Sequence, residues 1–386
     1  MTTLAQTLTQ ADILQTGTLL VIWTILGWIV VVFLGVRILI AFVNLLSRQW
    51  LEGPVQPSGE LVSVMIPARN EEKNISWLLH DLLAQDHPML EIMVYDDASD
   101  DHTSEIVEEM IESNGNVRLF KGTGLPPGWL GKNHACYQLA QKANGVFFLF
   151  LDADVRLSSG AISHALSHAK KHDLDMLSIF PSQIMLSWGE KISVPLMNWV
   201  LLSLLPLIMT RLSSFASMSA ANGQFMFFRA GIYQSLQPHQ RFRKQAVEDI
   251  AIARFLKTRQ HRMQTLLGGQ YVFCRMYGSL HEAMHGFSKN VLAFFGNSSL
   301  ISLTFALFTT FGIVAVYIGL PPTWAPIYIA GILLLRTLVA ICSRQPVIFQ
   351  LITTPIQQLV FLRVVLQAVI NRKKRTNTWK GRSIDI

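Results

Sequence analysis

The chain of 386 residues is poor in charge and in cysteine, with 15% charged residues and three cysteines. Cys136, Cys274 and Cys342 are odd in number and show no pair spacing, so they predict neither a disulfide framework nor a zinc ribbon. The first apolar strand is not followed by a GxGxxG fingerprint, and no Walker-type phosphate loop is present. There is also no internal repeat and no low-complexity segment. These absences argue against dinucleotide-binding, P-loop and solenoid proteins.

Apolar sequence is in excess and is concentrated towards the two ends of the chain. Hydrophobic residues make up 51% of the sequence, and the mean hydropathy is +0.35. Residues 16–46 contain one charge, Arg37, and exceed the ~20 residues that a spanning helix needs. This stretch is too long for a removable signal peptide and lacks a basic start and a cleavage site, so it predicts a retained anchor. Further apolar stretches cover residues 300–320, 325–342 and 347–370.

The region between the apolar ends alternates polar and apolar segments as globular domains do. We therefore predict an anchor over residues 1–50, a folded domain over 51–298, and membrane or interfacial helices with a basic tail over 299–386. We interpret the last apolar stretch, which contains Pro355, as a re-entrant or interfacial helix pair that the proline breaks.

The net charge of +7 does not indicate a nucleic-acid partner, because six cations lie in the tail at 371–382, directly after an apolar stretch. Basic residues beside a membrane segment mark the cytoplasmic side and contact anionic headgroups. We predict a multi-pass protein of the cell (inner) membrane with a cytoplasmic domain. Arg336, inside the third apolar stretch, is interpreted as a snorkelling side chain, with a buried functional cation as the alternative.

The folded domain shows a repeated order of strand and helix. Apolar strands are predicted at 62–66, 91–97, 116–120 and 146–151, with helices between them. This order predicts an α/β fold, Rossmann-like, with a mostly parallel sheet and helices on both faces.

Two of these strands end in pairs of aspartates, Asp96 with Asp97 and Asp152 with Asp154. Open α/β sheets bind ligands at the carboxyl ends of their strands, and an Asp-x-Asp pair offers the hard oxygen ligands of a divalent metal. The alternative for each pair is turn formation and helix capping.

Further polar residues fall at predicted strand ends and helix starts. Arg69 and Lys132 are candidates for neutralising a diphosphate, although either is also explained as a surface cation. Asn222, Gly223 and Gln224 follow a turn of small residues, where the glycine permits close backbone approach and the amides can line a sugar pocket.

Glu248 and Asp249 begin a predicted helix. If that turn faces the aspartate edge, these residues are candidate general bases. Acidic residues in a first helical turn are also favoured by the helix dipole alone.

A competing motif, HEAMH at residues 281–285, matches the signature of zinc proteases with Glu282 as the base. Such sites need a third protein ligand, and the one acid or histidine after His285 is Asp385. The stretch also reads as an amphipathic interfacial helix with Phe287 on the apolar face and Lys289 opposite.

Taken in order, IPARNEE, YDDASDD, GWLGKNHA, DAD, NGQF and VEDIAIA resemble the membrane-bound members of glycosyltransferase family 2, over about residues 60–290. Within that family the chain is most similar to bacterial glycosyltransferases of carotenoid and hopanoid pathways, and more distantly similar to ceramide glucosyltransferases. The resemblance implies a GT-A fold, a nucleotide-sugar donor, Mg²⁺ or Mn²⁺, a lipid acceptor and inversion of the anomeric carbon.

The resemblance also implies roles for single residues. Asp152 and Asp154 would contact the donor and the metal, and Asp249 would be the base. The nucleotide would be held by Ala68, Arg69, Glu71, Asp96 and Asp97.

The sequence departs from the family pattern at two places. Ala98 replaces the usual glycine of the DDGS turn, and CRMYG at 274–278 stands near the place of the missing QxxRW motif. Arg275 is still expected to reach the diphosphate, but processive polymer synthesis is not expected.

We therefore predict an inverting hexosyltransferase that moves a sugar from a nucleotide donor, UDP in the first instance, to a membrane lipid such as a carotenoid, hopanoid, glycerolipid or sphingolipid. Polyprenyl phosphate is the alternative acceptor, and a membrane zinc protease is the alternative of a different class. The apolar segment 192–212 is either an interfacial helix lining the acceptor entrance or a buried core helix.

Overall fold

The computed structural model describes residues 10–56, 58–374, 378–379 and 382–383. Part of the predicted basic tail, at 375–377 and 380–381, lies outside the described residues. The helices are α1 Gln10–Ser47, α2 Ile75–Leu83, α3 Thr103–Ser113, α4 Gly131–Ala140, α5 Ala161–Lys171, α6 Trp188–Ser193, α7 Pro195–Leu204, α8 Met209–Leu212, α9 Ala230–Leu236, α10 Pro238–Arg241, α11 Glu248–Thr258, α12 Leu280–Phe294, α13 Ser299–Gly319, α14 Trp324–Cys342 and α15 Val347–Lys374, with a 3₁₀ turn at Ala216–Met218. The strands are β1 Val62–Ala68, β2 Leu90–Asp96, β3 Val117–Lys121, β4 Phe147–Leu151, β5 Val155–Leu157, β6 Met176–Phe180, β7 Ser182–Gln183, β8 Phe225–Arg229, β9 Met263–Leu267, β10 Val272–Cys274, β11 Thr378–Trp379 and β12 Arg382–Ser383.

The domain is built on a seven-stranded sheet in the order β3-β2-β1-β4-β8-β6-β9. The predicted α/β class with a mostly parallel sheet is confirmed, because β1, β2, β3 and β4 pair in parallel and so do β6 and β9. Strand β8 runs antiparallel to both of its neighbours. This reversal aligns Leu151 with Phe225, and the Asp152 amide donates to the Gln224 carbonyl at 3.3 Å. The antiparallel strand therefore brings the NGQ segment to the DAD segment.

Each face of the sheet is covered by helices. The strands are buried on both faces, as parallel strands are, with Val64 on the face covered by α2 and α5 and Met65 on the face covered by α4 and α11. The second face contains an aromatic cluster in which Phe150 lies 5.0 Å from Tyr233 and 4.7 Å from His239 between ring centroids. The Tyr233 hydroxyl and His239 Nδ1 share a hydrogen bond of 2.7 Å.

The buried imidazole of His239 predicts a loss of stability in acid. Burial, with a smaller contribution from the positive charge of Lys132, lowers the pKa of His239 from 6.5 to about 3. The neutral imidazole therefore contributes its full stability above pH 6.5, and that contribution is lost as the pH falls towards 3 because the unfolded chain takes up the proton first. At pH 5 the expected loss is about 2 kcal/mol.

Thermal unfolding of the wild type and of His239→Gln at pH 7 and pH 5 measures this effect. The glutamine cannot charge, so the variant should lose less of its Tm between the two pH values than the wild type loses. His281→Gln is the matched control, because His281 is exposed and its replacement should leave the acid sensitivity unchanged. Equal acid sensitivity in all three proteins would contradict the prediction.

The apolar ends of the chain form a helical bundle beside the domain. Helices α1, α13, α14 and α15 are each long and apolar enough to cross a membrane. Helices α1 and α13 approach closely at Gly319, where an added Cβ would lie 2.1 Å from the Trp23 carbonyl oxygen. Helix α7 belongs to the segment 192–212, which the sequence left open as an interfacial helix or a buried core helix. It packs against α1 and α14 and is almost entirely buried, which agrees with a core helix.

Helix α15 corrects the expectation of a broken pair of helices, since it continues through Pro355. Proline removes one backbone donor and is tolerated where neighbouring hydroxyl groups satisfy nearby carbonyls. The Thr353 and Thr354 hydroxyls donate to the Phe349 and Gln350 carbonyls at 2.7 and 2.8 Å. Pro355 itself lies on the exposed face.

Both ends of α15 contact residues of the predicted domain at 51–298. At its start, Phe349 packs on Trp188 of α6 with ring centroids 5.2 Å apart. At its end, the Arg372 side chain donates to the carbonyl of Asn297, two residues before α13 begins. The exposed face between these ends carries an apolar stripe of Ile348, Ile352, Ile356, Leu359, Leu366 and Ile370.

Arg336 does not snorkel, which corrects the interpretation made from the sequence. Its side chain is buried, with 2% of its surface exposed, and its Nη1 donates to Gln357 Oε1 of α15 at 2.8 Å. Contacts with α7 and α15 hold the guanidinium inside the bundle, where it cannot extend to the membrane surface.

Candidate active site

A cleft of about 400 Å³ opens where β1 and β4 end and extends to the helical layer. Most of the residues predicted from the sequence to form the site line this cleft: Ala68, Arg69, Glu71, Asp97, Lys132, Asp152, Asp154, Asn222, Gly223, Gln224, Glu248 and Asp249. They come from distant parts of the chain and meet because parallel strands end at one edge of the sheet.

The turn after β2 is organised around Asp96 and Arg69. Both oxygens of Asp96 are used inside the turn, because Oδ1 accepts from Ser99 and Oδ2 accepts from Ser104. Asp96 is not among the cleft-lining residues; its bonds within the turn agree with turn formation, and its contact with a nucleotide stays a prediction. Arg69 Nη1 donates to the carbonyls of Asp97 and Ala98 at 2.5 and 2.8 Å. Ala98 has a φ of 54°, the left-handed conformation for which the family pattern uses glycine.

Lys132 lies at the centre of the carboxylates. Its Nζ is 2.7 Å from Asp152 Oδ1 and 3.4 Å from Glu248 Oε1, and it donates to the Gly223 carbonyl at 3.3 Å. Burial alone would lower the pKa of Lys132, but the charges of Asp152 and Glu248 outweigh it and hold the pKa well above its usual value. Lys132 is therefore a permanent cation that orients the two carboxylates.

Gly223 leaves the space that this cluster needs. A Cβ at this position would lie 2.9 Å from Lys132 Nζ and 3.2 Å from Glu248 Oε1. The Gly223 amide donates to Asp249 Oδ2 at 2.9 Å, and the Ile250 amide donates to Oδ1 at 2.8 Å. A side chain at this position would displace the ends of Lys132 and Glu248, so the glycine preserves the contact between them.

Asp154 lies deeper in the cleft than its partner Asp152. Burial, followed by the negative charges of Asp152 and Glu71, raises the pKa of Asp154 from 3.8 to about 7. Burial and the charge of Asp249 likewise raise the pKa of Glu248 to about 7, against the opposing charge of Lys132. Burial also raises the pKa of Asp249. The site therefore concentrates carboxyl groups whose mutual repulsion a bound cation would relieve.

The other end of the cleft is apolar, and part of it comes from the segment 192–212 that the sequence offered as a lining of the acceptor entrance. Val194 and Met197 of α6–α7 line it, together with Met276, Tyr277, Phe287 and Phe294 around α12. Lys289 and Asn290 are the polar residues of α12 at this end. The amphipathic pattern of residues 280–294 already indicated Lys289 as a polar residue of this helix, opposite its apolar face.

Arg275 lies outside the cleft lining, which does not agree with its predicted contact with a diphosphate. Its Nε instead pairs with Glu190 Oε1 at 2.8 Å. Glu190 is fully buried and also accepts from the backbone amides of Leu186 and Ser187. Arg275 therefore neutralises a helix-capping carboxylate.

The HEAMH motif forms the first turns of α12 and does not form a metal centre. The Glu282 carboxylate accepts from the Gly278 amide at 2.9 Å, and the Ser279 hydroxyl accepts from the Glu282 amide, so Glu282 acts in a helix cap. His281 and His285 are exposed. Across the described residues 10–56 and 58–374, no group of three histidine, cysteine or acidic side chains is placed to hold a metal ion. The zinc protease alternative has no support from this arrangement.

The fold is GT-A-like, an α/β fold with a mixed sheet and long apolar helices towards both ends. Residues 63–236 match the family model of Glycosyl transferase family 2. The fold is also that of a solved structure, the mannosyltransferase PcManGT from Pyrobaculum calidifontis in complex with GDP-Man and Mn²⁺. The TM-score is 0.56 at 16% identity, covering 92% of this chain and 100% of that chain.

Two curated relatives are similar in sequence. The 4,4'-diaponeurosporenoate glycosyltransferase of Staphylococcus haemolyticus (strain JCSC1435) is 29% identical over 239 residues, or 60% of each chain. The enzyme of the same name from Staphylococcus aureus (strain USA300) is 25% identical over 264 residues, which are 67% of this chain and 68% of the relative. The chain thus spans 60% of the length of the first relative.

Proposed function

We propose that this protein transfers a sugar from a nucleotide-sugar donor to a membrane lipid, with inversion at the anomeric carbon. The observation that carries the proposal is that one cleft has a carboxylate-rich end beside β4 and an apolar end formed by α7 and α12. The carboxylates of the first end suit a divalent metal ion that would bind the diphosphate of a nucleotide sugar, and a lipid fits the second end by its apolar surface.

The donor end has the chemistry of a divalent metal site. Asp152 and Asp154 would hold Mg²⁺ or Mn²⁺, which bind through one or two carboxylates together with substrate phosphates. Burial, followed by the negative charges of Asp152 and Glu71, raises the pKa of Asp154, and a divalent cation beside it would compensate the buried negative charge. When bound, such an ion neutralises charge that develops on the departing diphosphate. The Mn²⁺ and GDP-Man bound to PcManGT support this assignment.

The side chains of the cleft have distinct proposed roles. Arg69 and Lys132 bring positive charge to the side where the diphosphate departs. Asp249 is the proposed base, because the Gly223 and Ile250 amides fix the orientation of its carboxylate and its raised pKa suits it to accept a proton. Asn222 and Gln224 are proposed to contact the sugar. The acceptor oxygen attacks from the face opposite the departing diphosphate.

At the acceptor end, Lys289 is proposed to bind an anionic group near the reacting end of the lipid. It lines the cleft, burial lowers its pKa, and no described residue forms an ion pair with it. Both curated relatives are named for a carotenoid acid, so a carboxylate is the first candidate. Polyprenyl phosphate stays the second candidate, because a lysine also binds phosphate.

Lys289→Gln is expected to raise the KM for an acidic lipid roughly tenfold, the effect of losing one charge-assisted hydrogen bond. The KM for the corresponding lipid alcohol should change little. Kinetics with the acid, the alcohol and polyprenyl phosphate measure the difference and rank the acceptors. Lys170→Gln is the control, since Lys170 pairs with Glu60 away from the cleft. An equal rise in KM for acid and alcohol would contradict the role.

We also propose that α1, α13 and α14 cross the membrane while α15 lies in its cytoplasmic interface. The contacts of both ends of α15 with the domain, and its exposed apolar stripe, support this arrangement. The domain and the basic tail would then both lie on the cytoplasmic side, where positively charged residues beside membrane segments are usually found.

The proposal is tested first by calorimetric titration of the detergent-purified protein with UDP, with and without Mn²⁺, followed by GDP. Binding that depends on the metal and is lost in Asp154→Ala is expected for one of the two nucleotides. Transfer of radiolabelled sugar from the matching donor to a set of lipids then identifies the acceptor. Absence of binding to both nucleotides would contradict the proposed donor site.

A further inference from the structure

Two arginines are buried inside the helical bundle, away from the cleft. Arg37 of α1 is 3% exposed and Arg336 of α14 is 2% exposed. Their guanidinium carbons each lie 4.4 Å from the centroid of the Trp199 ring on α7. Three helices therefore meet at one pair of cations and one indole.

The hydrogen bonds of these arginines are incomplete. Arg37 donates from Nε and Nη2 to the Ser203 hydroxyl, at 3.1 and 2.7 Å. Arg336 donates from Nη1 to Gln357, but its Nε and Nη2 are buried and have no hydrogen-bond partner in the structure. No carboxylate of the described residues forms an ion pair with either guanidinium.

The two buried guanidinium charges need a compensating negative charge, which an anion would supply. Removing an ion from water costs several kcal/mol after relaxation, and a desolvated cation–π contact returns about 2 kcal/mol. Two cations that share one site also repel each other. A water molecule would satisfy the free N–H groups but would leave both charges uncompensated.

A small space is available for such a group. A cavity of about 20 Å³ is lined by Arg37, Arg336 and Trp199, together with Tyr328 and Gln358. This volume holds only about one or two groups of the size of a water molecule, such as two oxygen atoms of an anion, and no acyl chain. The half-buried Phe33, Phe308 and Ile332 complete its lining from α1, α13 and α14. One or two oxygen atoms of a head group can therefore enter the cavity, with the rest of the head group and its chains outside.

We propose that Arg37, Arg336 and Trp199 form a binding site for a phosphate group, carried by an anionic membrane lipid or by soluble phosphate. Guanidinium groups bind phosphate through paired N–H donors, which Arg336 has free. The bound group also fixes α7, because Trp199 and Ser203 contact the arginines while Met197 and Asn198 line the cleft. The phosphate site does not depend on the proposed sugar transfer. Its proposed effect on the cleft rests on that function.

Thermal unfolding of the full chain in neutral detergent tests the site, with phosphatidylglycerol, phosphatidylcholine or inorganic phosphate added. Phosphatidylglycerol is expected to raise the Tm of the wild type by about 5 °C more than phosphatidylcholine does. The difference should be lost in Arg336→Gln and in Arg37→Gln. It should persist in Arg344→Gln, the matched control, whose arginine is exposed and pairs with Glu52.

The remaining outcomes separate the alternatives. A rise with inorganic phosphate that is lost in Arg336→Gln supports the site and assigns it to the soluble anion. Equal effects of the two lipids on the wild type, with none from phosphate, would overturn the proposal. So would a phosphatidylglycerol effect that survives both substitutions. Because the basic tail is also predicted to contact anionic lipid, the wild-type difference alone does not identify the site. If the glutamine variants fail to fold, Arg336→Lys takes their place: it keeps the charge, loses the paired N–H donors and should lose most of the difference, and a difference that is unchanged in it would overturn the proposal. Because the readout is stability, it is independent of whether sugar transfer is detected.

Discussion

Asp154→Asn is expected to lower the rate of sugar transfer about a thousandfold while the protein stays folded. The amide keeps the size of the side chain but removes one of the two charges proposed to hold the metal. It also removes a buried carboxylate whose pKa is raised by burial and then by the charges of Asp152 and Glu71, so thermal stability without metal should be unchanged or slightly increased. The measurements are the initial rate with saturating donor and lipid, and the dependence of nucleotide binding on Mn²⁺.

The matched control is Glu282→Gln, which alters the acidic residue of the HEAMH motif in the same chemical way. Glu282 serves in the cap of α12, so its replacement should leave transfer nearly intact. A variant Asp154→Asn that retains full activity would contradict the donor site. Loss of activity in Glu282→Gln alone would support a catalytic role for the HEAMH motif.

Asp249→Asn is expected to reduce transfer to a lipid hydroxyl by about a hundredfold to ten thousandfold, the usual contribution of a general base. Transfer to a lipid carboxylate should fall much less, because a carboxylic acid with a pKa of about 4 is already ionised at neutral pH and needs no base. Rates with matched alcohol and acid acceptors, measured at several pH values, test this difference.

Glu248→Gln serves as the comparison for Asp249→Asn, because the two acids are adjacent and both have raised pKa values. Glu248 lies 3.4 Å from Lys132, so its replacement should weaken donor binding without removing the dependence on acceptor type. If Glu248→Gln costs more than Asp249→Asn with the hydroxyl acceptor and less with the acid, the base is Glu248.

The meeting of the carboxylates at one end of the cleft could be predicted because these residues follow local patterns. A buried run such as Phe147–Leu151 predicts a strand, and the aspartates that follow must emerge at its end. Parallel pairing then gathers several strand ends at one edge. The partners of Arg275 and Asp96 could not be predicted in this way: Glu190 pairs with the first, and two serines donate to the second. The position of such partners is not encoded by spacing along the chain.

The sequence by itself determined the order of strands and helices, the apolar helices at both ends and the carboxylates of the donor end, because these depend on local periodicity and composition. Tertiary structure alone decided the antiparallel β8, the place of α12 at the apolar end of the cleft, the continuity of α15 through Pro355 and the burial of Arg37 with Arg336 around Trp199. Each of these results from contacts between segments far apart in the chain. Their free energy depends on packing and on removal from water, which no local pattern of residues records.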